Sequence, residues 1–543
     1  MYARLKTFPN KDGTQRTYLQ IVESYRVGGK CRQRVVANLG RLEELQEGQL
    51  DRLIDSLARY SKSLYLKLNE ADANWSKQWG PALILHHLWE KKVNLGPILR
   101  HILSQTEKTS PVEEAVFAMV LNRLTYPLSK LGLNERWLNS IYRPEFGQLQ
   151  LHHFYRALDF LAESKEEIER LLFEQVRNLF NLEVDLVFWD TTSTYFEGNG
   201  PKGLAEKGHS KEHRPDRVQI LVGVLMTKEG IPVAHQVFPG NTADIDTFKK
   251  AIRDTRERFC LKRVIFVGDR GMVSPDLLDQ LDHDHIDYIA GVKMRKSTAV
   301  NAVLKTGGRY KKVSDHLQVK EVWYDADRYI VCYNPKRAER DKKTREELIV
   351  RLTKKLQKGA KSLVGSPGYR RYLVIGKTEA SLNQEAIQKE ARYDGKYVLR
   401  TNCDLDSHEV AEAYKTLWRV ERAFRELKSG LDLRPVYHYA DSRVKGHVMV
   451  CFLALVLESA LIRYLNQGES KTSYLKLLAD LSQLHAVELT HQGKTYLLRT
   501  ELAGSAYEAF RVLGIRPPNK VTEVEQPELP QKGKCSGTSS LCL

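Results

Sequence analysis

The sequence predicts a mixed α/β protein with a central sheet, and three features of the chain lead to this fold class. Short apolar runs rich in β-branched residues, such as VDLVF and RVIFV, alternate with helical periodicity in the middle of the chain. A long region of helical periodicity precedes these runs, and strand-like segments follow them. With 543 residues the chain is too long for a single core, so two to four domains are expected.

The first forty residues predict a basic β-hairpin. The segments TYLQIVESYR and KCRQRVVANLG have strand-like alternation, and a Val-Gly-Gly sequence joins them, which is a good hairpin signal. Such a hairpin is suited to following a DNA backbone, although arginines on a solvent-exposed face are the commoner explanation. The basic residues of the predicted hairpin are Arg26, Lys30, Arg32 and Arg34.

Helical periodicity dominates the next part of the chain, to about residue 180. The segment SPVEEAVFAMVLNRL predicts a helix with Ser110 as N-cap and Pro111 at its first position. The segment TYPLSKLG then predicts a break before the next helix. Two helices around such a break are compatible with a DNA-reading helix-turn-helix, but helix pairs also occur in any helical domain.

Two aspartates follow apolar runs in the middle of the chain. We predict strands over 184–189, 218–226, 231–238, 264–267 and 288–292, with a helix over 243–259. Asp190 comes directly after the first of these runs, and Asp269 follows the fourth after one glycine, Gly268. A carboxylate at such a place projects from the end of a rigid, buried strand.

A third acid, Glu421, lies on a predicted amphipathic helix from about Ser407 to Ser429. Tyr414, Glu421 and Lys428 are spaced seven residues apart, so they line up on one face of a helix with 3.6 residues per turn. An acid, a phenol and an ammonium group therefore share one stripe.

Two strand-borne carboxylates and one helix-borne carboxylate can hold two divalent cations for an in-line displacement at phosphorus. The residues alone do not decide this, because an aspartate at a strand end is more often a turn or capping residue. An acid on a helix is usually solvated. The rival acids in the region are Asp185, Glu197, Asp216, Asp244 and Asp246.

These residues carry a resemblance to the DDE transposases of bacterial insertion sequences. The chain resembles the insertion sequence four-type branch, whose third motif has Tyr, two residues, Arg, three residues, Glu, six residues and Lys. Tyr414, Glu421 and Lys428 match this motif, whereas Leu417 occupies the Arg position. The resemblance extends through GHSKEHRPDRVQILVGVL and VFPGNTADIDTF and covers roughly residues 185–465.

The resemblance implies an RNase H-like catalytic core with Asp190, Asp269 and Glu421 as catalytic metal ligands. The expected cofactor is a pair of Mg²⁺ ions, for which Mn²⁺ would substitute. The expected partners are double-stranded DNA, at the transposon ends and the target, and a second copy of the chain bound to the same DNA. Tyr414 and Lys428 would position phosphates, and Arg425, one turn beyond Glu421, is the candidate to replace the missing arginine.

The activity that the resemblance implies is cutting and joining of insertion-sequence ends. Two alternatives remain open: an RNase H-like nuclease or resolvase that cuts without joining, and an inactive, transposase-derived DNA-binding protein. The presence of all three acids argues against the second alternative.

More chain lies between Asp269 and Glu421 than a compact core of this kind uses, so we predict a β-rich insertion with a basic helix. Trp323 in KEVWYDADRYIVCYN is a candidate for holding a flipped-out base, although a tryptophan in a strand is more often part of the core. In KRAERDKKTREELIVRLTKKLQKGAK, the expected ion pairs are Asp341 with Arg345 and Glu347 with Arg351.

These expectations give a domain plan. The basic hairpin spans 1–40, the helical and DNA-end-binding region 41–182, and the first part of the core 183–295. The β-rich insertion spans 296–402 and the second part of the core, with the Glu421 helix, 403–470. A C-terminal region with dimer or DNA contacts spans 471–525, and a disordered, Pro-, Ser- and Gly-rich tail 526–543.

Composition agrees with a nucleic-acid partner in the cytoplasm. The net charge is +17 and the pI about 9.3, which favours attraction to phosphates. Seven cysteines form no Cys-x-x-Cys pair, so neither a disulfide framework nor a zinc site is expected. The apolar run VMVCFLALVL is shorter than a membrane span and predicts a buried helix, and the N-terminus lacks the apolar core of a signal peptide.

Overall fold

The computed structural model describes residues 1–58, 60, 72–107, 110–180, 186–211, 213–259, 265–271, 273–295, 297–357, 372–375, 380–491 and 493–524. The chain divides into two compact units. The first comprises Met1–Asn74, Glu488–Leu497 and Thr522–Leu543, and the second comprises Trp75–Val487 and Leu498–Val521. The tail predicted to be disordered, 526–543, and the rival acid Asp185 lie outside the described residues.

The first unit contains a three-stranded antiparallel sheet. Its strands, in sheet order, are β1 (Tyr2–Pro9), β2 (Gln15–Val27) and β3 (Lys30–Arg41). The predicted hairpin is present as β2 and β3, and β1 adds a strand that the sequence analysis did not include. Gly28 and Gly29 form the hairpin turn with φ of 57° and 77°, a left-handed backbone that glycine adopts without strain. A single 3₁₀ turn, Leu42–Glu44, and the helix Gln49–Ala58 follow.

Strand β4 (Asp72–Gln78) interrupts the predicted helical run and spans the boundary between the two units at 74–75, and the helical region of the second unit follows it. The longer helices of this region span 8 to 16 residues. These helices are Gly80–His87, Leu95–Ser104, Val112–Thr125, Leu151–Glu163 and Lys165–Phe180. Shorter helical segments are Leu88–Lys92, Lys130–Gly132, Leu133–Trp137, Leu138–Ser140 and Pro144–Gln148.

The predicted N-cap of the helix Val112–Thr125 is wrong by one residue. The helix Val112–Thr125 has Pro111 as its N-cap, and no side chain caps it, so Ser110 does not take the predicted role. Val112 and every residue from Ala115 to Leu124 are buried. A helix enclosed in this way has little surface left for DNA, which argues against the helix-turn-helix interpretation of this segment.

A nine-stranded sheet forms the centre of the second unit. Its first five strands are β5 (Leu186–Tyr195), β6 (Gln219–Thr227), β7 (Pro232–Pro239), β8 (Ile265–Gly268) and β9 (Asp287–Gly291). They lie in the order β7-β6-β5-β8-β9. Strand β6 is antiparallel to both of its neighbours, β7 and β5, whereas β5, β8 and β9 are parallel to one another. The helices Asp244–Phe259 and Pro275–His283 connect β7 to β8 and β8 to β9.

The chain between β9 and the Glu421 helix extends this sheet rather than forming a separate one. Strands β10 (Lys311–Ser314), β11 (Leu317–Tyr324) and β12 (Asp327–Tyr333) continue it, and β15 (Lys396–Thr401) joins β12 to β9. The short pair β13 (Leu373–Ile375) and β14 (Ala380–Leu382) is separate. The helices of this segment are Thr298–Lys305, Pro335–Leu356 and Gln384–Ala391.

The basic helix Pro335–Leu356 forms one of its two predicted ion pairs. Glu347 and Arg351 lie 3.8 Å apart on an exposed surface. Arg345 instead pairs with Asp394, and Asp341 accepts a hydrogen bond of 2.9 Å from the backbone of Gly395. The predicted Asp341–Arg345 pair is therefore wrong, because tertiary contacts with the 394–395 loop satisfy both side chains.

The segment predicted as one helix from Ser407 to Ser429 is broken. It consists of the helix Ser407–Lys415, the helix Trp418–Arg425 and the π-helical segment Glu426–Gly430. We call Trp418–Arg425 the Glu421 helix.

The remaining helices are Asp441–Gln467, Tyr474–Leu481 and Ala506–Leu513, and the remaining strands are β16 (His485–His491), β17 (Lys494–Arg499) and β18 (Val521–Val524). The helix Asp441–Gln467 is long and apolar enough to cross a membrane, but 78% of its most apolar window is buried inside the protein. It packs on β7 and on the helices Val112–Thr125 and Leu151–Glu163, as expected for a core helix.

Candidate active site

Asp190 lies on β5, and Asp269 directly follows β8, the parallel strand next to it. Val187 of β5 pairs with Phe266 of β8, and Phe188 pairs with Val267. The same register continued by two residues sets Asp190 beside Asp269, and neighbouring strands lie about 4.8 Å apart. One part of the prediction needs correction: Asp190 lies in the middle of β5, which continues to Tyr195 by pairing with β6, and not at its end.

A single cavity of about 640 Å³ is lined by all three predicted acids. Asp190 is half-buried, whereas Asp269 and Glu421 are exposed to this cavity. Asp190 Oδ1 accepts a hydrogen bond of 2.7 Å from the backbone N–H of Thr191. The sheet thus supplies two carboxylates to the cavity and the Glu421 helix supplies the third.

Tyr414, on the helix Ser407–Lys415, contacts Asp269. Its hydroxyl donates a hydrogen bond of 2.9 Å to Asp269 Oδ1. Burial raises the pKa of Tyr414 well above its usual value, and the charge of Asp269 adds to the effect, so the phenol stays protonated as a donor. Its ring stacks on Tyr397 with 5.7 Å between centroids.

Gly291, at the end of β9, leaves the space that Tyr414 needs. A Cβ at this position would clash with the Tyr414 hydroxyl, and it would also approach the backbone nitrogen of Arg270 to 3.2 Å. The smallest residue at the end of this strand therefore allows the tyrosine to reach Asp269.

Two lysines flank Asp190. Lys211, from the GHSKEHRPDRVQ segment, donates from Nζ to the backbone oxygen and the hydroxyl of Thr191 at 3.0 and 2.8 Å. Burial lowers the pKa of Lys428, the positive charge of Lys211 lowers it further, and the carboxylate of Asp190 opposes both. Lys428 was predicted from the helix spacing, whereas Lys211 was not, because its loop has no periodic pattern.

Leu417 takes the arginine position of the third motif, and the predicted replacement, Arg425, lies outside the cavity wall. Leu417 is buried and lines the cavity. Arg425 is exposed, and it does not belong to the residues that line the cavity. Arg270, directly after Asp269, and Trp418, directly after Leu417, do line it, and neither was singled out from the sequence.

The insertion also contributes to the wall of this cavity. The basic helix contributes Arg337, Asp341, Thr344, Arg345 and Leu348 to the cavity. Trp323 lies elsewhere: it is 62% exposed on β11, near the turn to β12, and does not line the cavity. An exposed ring is available for stacking, but not at the position of the three acids.

The rival acids have other surroundings. Glu197 pairs with Arg217 at 3.1 Å, and Asp216 pairs with Arg214 at 2.9 Å. Asp246 is exposed on the helix Asp244–Phe259, and it does not line the cavity. None of these three described side chains belongs to the cavity wall.

The carboxylates fit a divalent cation by their chemistry, since Mg²⁺ takes oxygen ligands and usually keeps waters or substrate phosphates beside one or two protein carboxylates. In the described part of the chain, no group of three or more His, Cys, Asp or Glu side chains is close enough to enclose a metal.

Comparison with known proteins places the chain in the class of transposases. Residues 185–457 match the transposase DDE domain, and residues 3–71 match the N-terminal domain of the IS1634 family transposases. Because the first match covers half of the chain, the protein belongs to the DDE transposase family. It is a DNA transposase of the bacterial insertion-sequence type, as the motifs predicted.

Three solved structures are similar to the chain at low identity. The piggyBac transposase synaptic complex with hairpin DNA is 9% identical, with 74% of this chain and 79% of that chain covered and a TM-score of 0.37. The Mos1 transposase paired-end complex with left transposon end is 14% identical, with 45% and 68% covered and a TM-score of 0.14. The Mos1 mariner paired end complex with Mn is 11% identical, with 38% and 76% covered and a TM-score of 0.14. None of the curated proteins matches the chain.

Proposed function

We propose that this transposase cuts and joins the ends of its insertion sequence by metal-dependent phosphoryl transfer at Asp190, Asp269 and Glu421. The observation that carries the proposal is the parallel register of β5 and β8: continued by two residues beyond the last observed pair, it sets Asp190 next to Asp269. The glutamate of the third motif lines the same cavity. The three acids keep the order along the chain that the resemblance requires.

The catalytic core is proposed to be RNase H-like. The strand order β7-β6-β5-β8-β9 supports this, since an antiparallel three-stranded half continues into a parallel half at β5. The domain plan is retained as a proposal, with the first part of the core at 183–295, the insertion at 296–402 and the second part at 403–470.

The proposed cofactor is a pair of Mg²⁺ ions, with Mn²⁺ as a substitute, held by Asp190, Asp269 and Glu421. Divalent cations at such a site lower the pKa of a bound water and stabilise the leaving 3′-oxygen. The protein's own contribution is to fix the carboxylates. Backbone pairing fixes Asp190 within β5, and the Tyr414 hydroxyl orients Asp269.

Lys428 and Lys211 are proposed to hold phosphates next to Asp190. A lysine binds a phosphate as a point charge. The two ammonium groups near Asp190 would offset the repulsion between its carboxylate and the incoming phosphate. Tyr414 is proposed to position phosphate through its contact with Asp269. Arg425 remains a candidate for DNA outside the cavity, and Arg270 is our candidate for the phosphate contact that Leu417 cannot make.

The proposed partners are the transposon ends and the target DNA, bound by a homodimer in the cytoplasm. The joining reaction involves two DNA ends, and two copies of the chain would hold one end each. Trp323 is proposed as a stacking residue for an unpaired base, since 62% of it is exposed on β11.

The test is a cleavage and joining assay with the full-length protein on labelled DNA that carries the ends of its own element. Reactions contain Mg²⁺, Mn²⁺ or EDTA, and the Glu421→Gln variant runs in parallel. We expect nicks at the ends and joined products, both dependent on the metal and both lost in the variant.

Two outcomes would contradict the proposal. Cutting without joined products, under conditions in which the ends are fully bound, would favour a nuclease or resolvase. End binding without cutting in either metal would favour an inactive DNA-binding derivative.

A further inference from the structure

The two faces of the sheet formed by β1, β2 and β3 differ in charge. Residues paired across neighbouring strands point to the same side of a sheet. Arg4 pairs with Gln20, Lys6 with Tyr18, and Tyr18 with Arg41. We call this side the basic face; its charged residues are Arg4, Lys6, Arg16, Arg26 and Arg41.

The strands bear eight Lys or Arg residues and one acid, Glu23. Glu23 pairs in register with Arg34 on the opposite face, and their side chains form an ion pair of 2.6 Å. No strand residue of these three fully described strands places a carboxylate on the basic face. Glu44, which follows β3, neutralises Arg41 in an ion pair of 3.0 Å, so four positive charges remain there.

Hydrogen bonds hold the centre of the basic face in one arrangement. Arg4 donates from Nη1 to Gln33 Oε1 at 2.6 Å and from Nη2 to Gln20 Oε1 at 3.4 Å. Gln33 in turn donates from its side-chain nitrogen to the Tyr2 hydroxyl. Guanidinium and carboxamide groups are those that bind guanine and adenine edges in the major groove, and a fixed arrangement reduces the entropy lost on binding.

The dimensions of the sheet agree with this use. Adjacent strands are about 4.8 Å apart, so the outer strands of a three-stranded sheet are about 10 Å apart. The major groove of B-DNA is about 12 Å wide, and β-strands occupy it in several DNA-binding proteins.

We propose that the basic face binds the major groove of the duplex at the ends of the element. Arg4, Gln20 and Gln33 contact base edges, and the positive side chains around them contact phosphates. This inference rests on the proposed function, because it names the surface that holds the DNA ends. It replaces the buried helix Val112–Thr125 as the candidate for end recognition.

The test measures binding of the full-length protein to a fluorescent duplex bearing the element's end, in EDTA and over a series of salt concentrations. A scrambled duplex of equal length is the reference. One variant, Lys6→Gln with Arg26→Gln, alters the basic face. The matched control, Lys30→Gln with Arg32→Gln, changes the opposite face of the same sheet by the same charge.

We expect the basic-face variant to bind the end duplex about 10-fold or more weakly. The slope of log affinity against log salt should fall by about two units, since each lost phosphate contact removes about 0.9. The affinity of the control variant for the end duplex should fall by less than about 3-fold. Equal losses in both variants, or no loss in the first, would overturn the proposal.

A third variant, Arg4→Lys, keeps the charge but cannot reproduce the two hydrogen bonds to Gln33 and Gln20. It should lose preference for the end duplex over the scrambled one while its salt slope stays unchanged. An unchanged preference would overturn the assignment of base contacts. Equal affinity of the wild type for duplex RNA or for single-stranded DNA would overturn the assignment to the DNA major groove.

Binding in EDTA separates this inference from the proposed function, because it needs no cleavage. Loss of binding in the basic-face variant supports the inference even where the wild type does not cut DNA. Normal end binding by that variant overturns the inference even where the wild type cuts and joins. Thermal midpoints equal to that of the wild type establish that each variant is folded.

Discussion

Asp190 lies on β5, and Asp269 directly follows the neighbouring parallel strand β8, whose residues Phe266 and Val267 pair with Val187 and Phe188. One carboxylate therefore belongs to the central sheet, and the other follows the end of its adjacent strand. Glu421 reaches the same cavity from a helix, and its position depends on packing between that helix and the sheet. Backbone pairing fixes Asp190 and the end of β8 from which Asp269 follows, whereas the position of Glu421 depends on the packing of its helix.

Replacing any of the three acids should abolish cleavage without abolishing DNA binding. We expect Asp190→Asn, Asp269→Asn and Glu421→Gln each to reduce end cleavage by at least roughly 10²–10³-fold, the scale of removing one group that stabilises charge in the transition state. End binding in EDTA should remain within about 3-fold of the wild type, because the variants remove metal ligands rather than phosphate contacts. Single-turnover cleavage and a binding assay check the two parts.

The matched control is Asp246→Asn, which makes the same change at an exposed acid that does not line the cavity. It should cleave at the wild-type rate. Cleavage near the wild-type rate by one of the three acid variants would assign that acid a structural role.

Tyr414 and Gly291 should act as one unit. Tyr414→Phe removes the hydrogen bond to Asp269, and Gly291→Ala displaces the tyrosine by steric contact, so each should slow cleavage by about 10-fold. The double variant should be no slower than the slower single variant, because both changes break the same contact. Cleavage rates of the four proteins complete the cycle.

Gly271→Ala is the control for this cycle, since a Cβ at Gly271 meets no atom within 4 Å. Its cleavage rate should equal that of the wild type. Additive losses in the double variant would mean that Gly291 acts independently of Tyr414.

Several strands and the two strand-borne aspartates could be predicted because local sequence determines them. Runs such as VIFV are apolar and β-branched, and Asp269 follows this run after a single glycine. The third acid needed the resemblance, since Glu421 lies on a helix whose surroundings are set by distant contacts. The break of that helix at 416–417 also escaped prediction, because Thr416 and Leu417 carry no turn signal.

The residues that sequence reasoning missed depend on tertiary structure. Lys211 lies on an irregular loop, and its position near Thr191 follows from the path of that loop. Arg337 lines the same cavity as the three acids although it is distant from them in sequence, so its place there depends on the tertiary fold. The ion pair of Arg345 with Asp394 replaced the predicted local pair for the same reason: a partner distant in sequence was better placed.

Lys428 should contribute to DNA binding with a pH dependence of its own. Lys428→Ala should weaken end binding and reduce the salt slope by about one unit. Its folded-state pKa lies below the usual lysine value, so the wild type should lose this contact as pH rises through that lowered pKa, before an ordinary lysine would lose its charge. Binding measured over salt and alkaline pH checks both effects.

The control for this variant is Lys476→Ala, which removes an exposed lysine from the helix Tyr474–Leu481. Its salt slope and pH profile should match those of the wild type. An unchanged salt slope in Lys428→Ala would reject a direct phosphate contact.

Arg270 should matter more than Arg425 for DNA held in the cavity. Arg270 lines the cavity beside Asp269, whereas Arg425 is outside the lining. Arg270→Ala should therefore slow cleavage of a bound end by at least about 10-fold, the scale of one charge-assisted contact, and Arg425→Ala by less than about 3-fold. Single-turnover rates at saturating protein compare the two, and the reverse ranking would restore Arg425 as the replacement for the missing arginine.

Glu458 should make the protein less stable as pH rises. It is buried on the core helix Asp441–Gln467; burial raises its pKa to about 8, the carboxylate of Glu426 adds to this, and Arg422 opposes it. The folded protein therefore keeps a proton that the unfolded chain releases above about pH 4.5, so unfolding becomes easier between about pH 4.5 and 8.

Glu458→Gln removes the carboxyl group whose proton is released on unfolding. It should raise the thermal midpoint at pH 8 by a few kelvin relative to the wild type and leave it nearly unchanged at pH 5, where the wild-type side chain is neutral when folded. Glu412→Gln, at an exposed position, makes the same substitution as a control and should change neither midpoint. A variant with an equal gain at both pH values would show that the effect comes from packing rather than from the titration of Glu458.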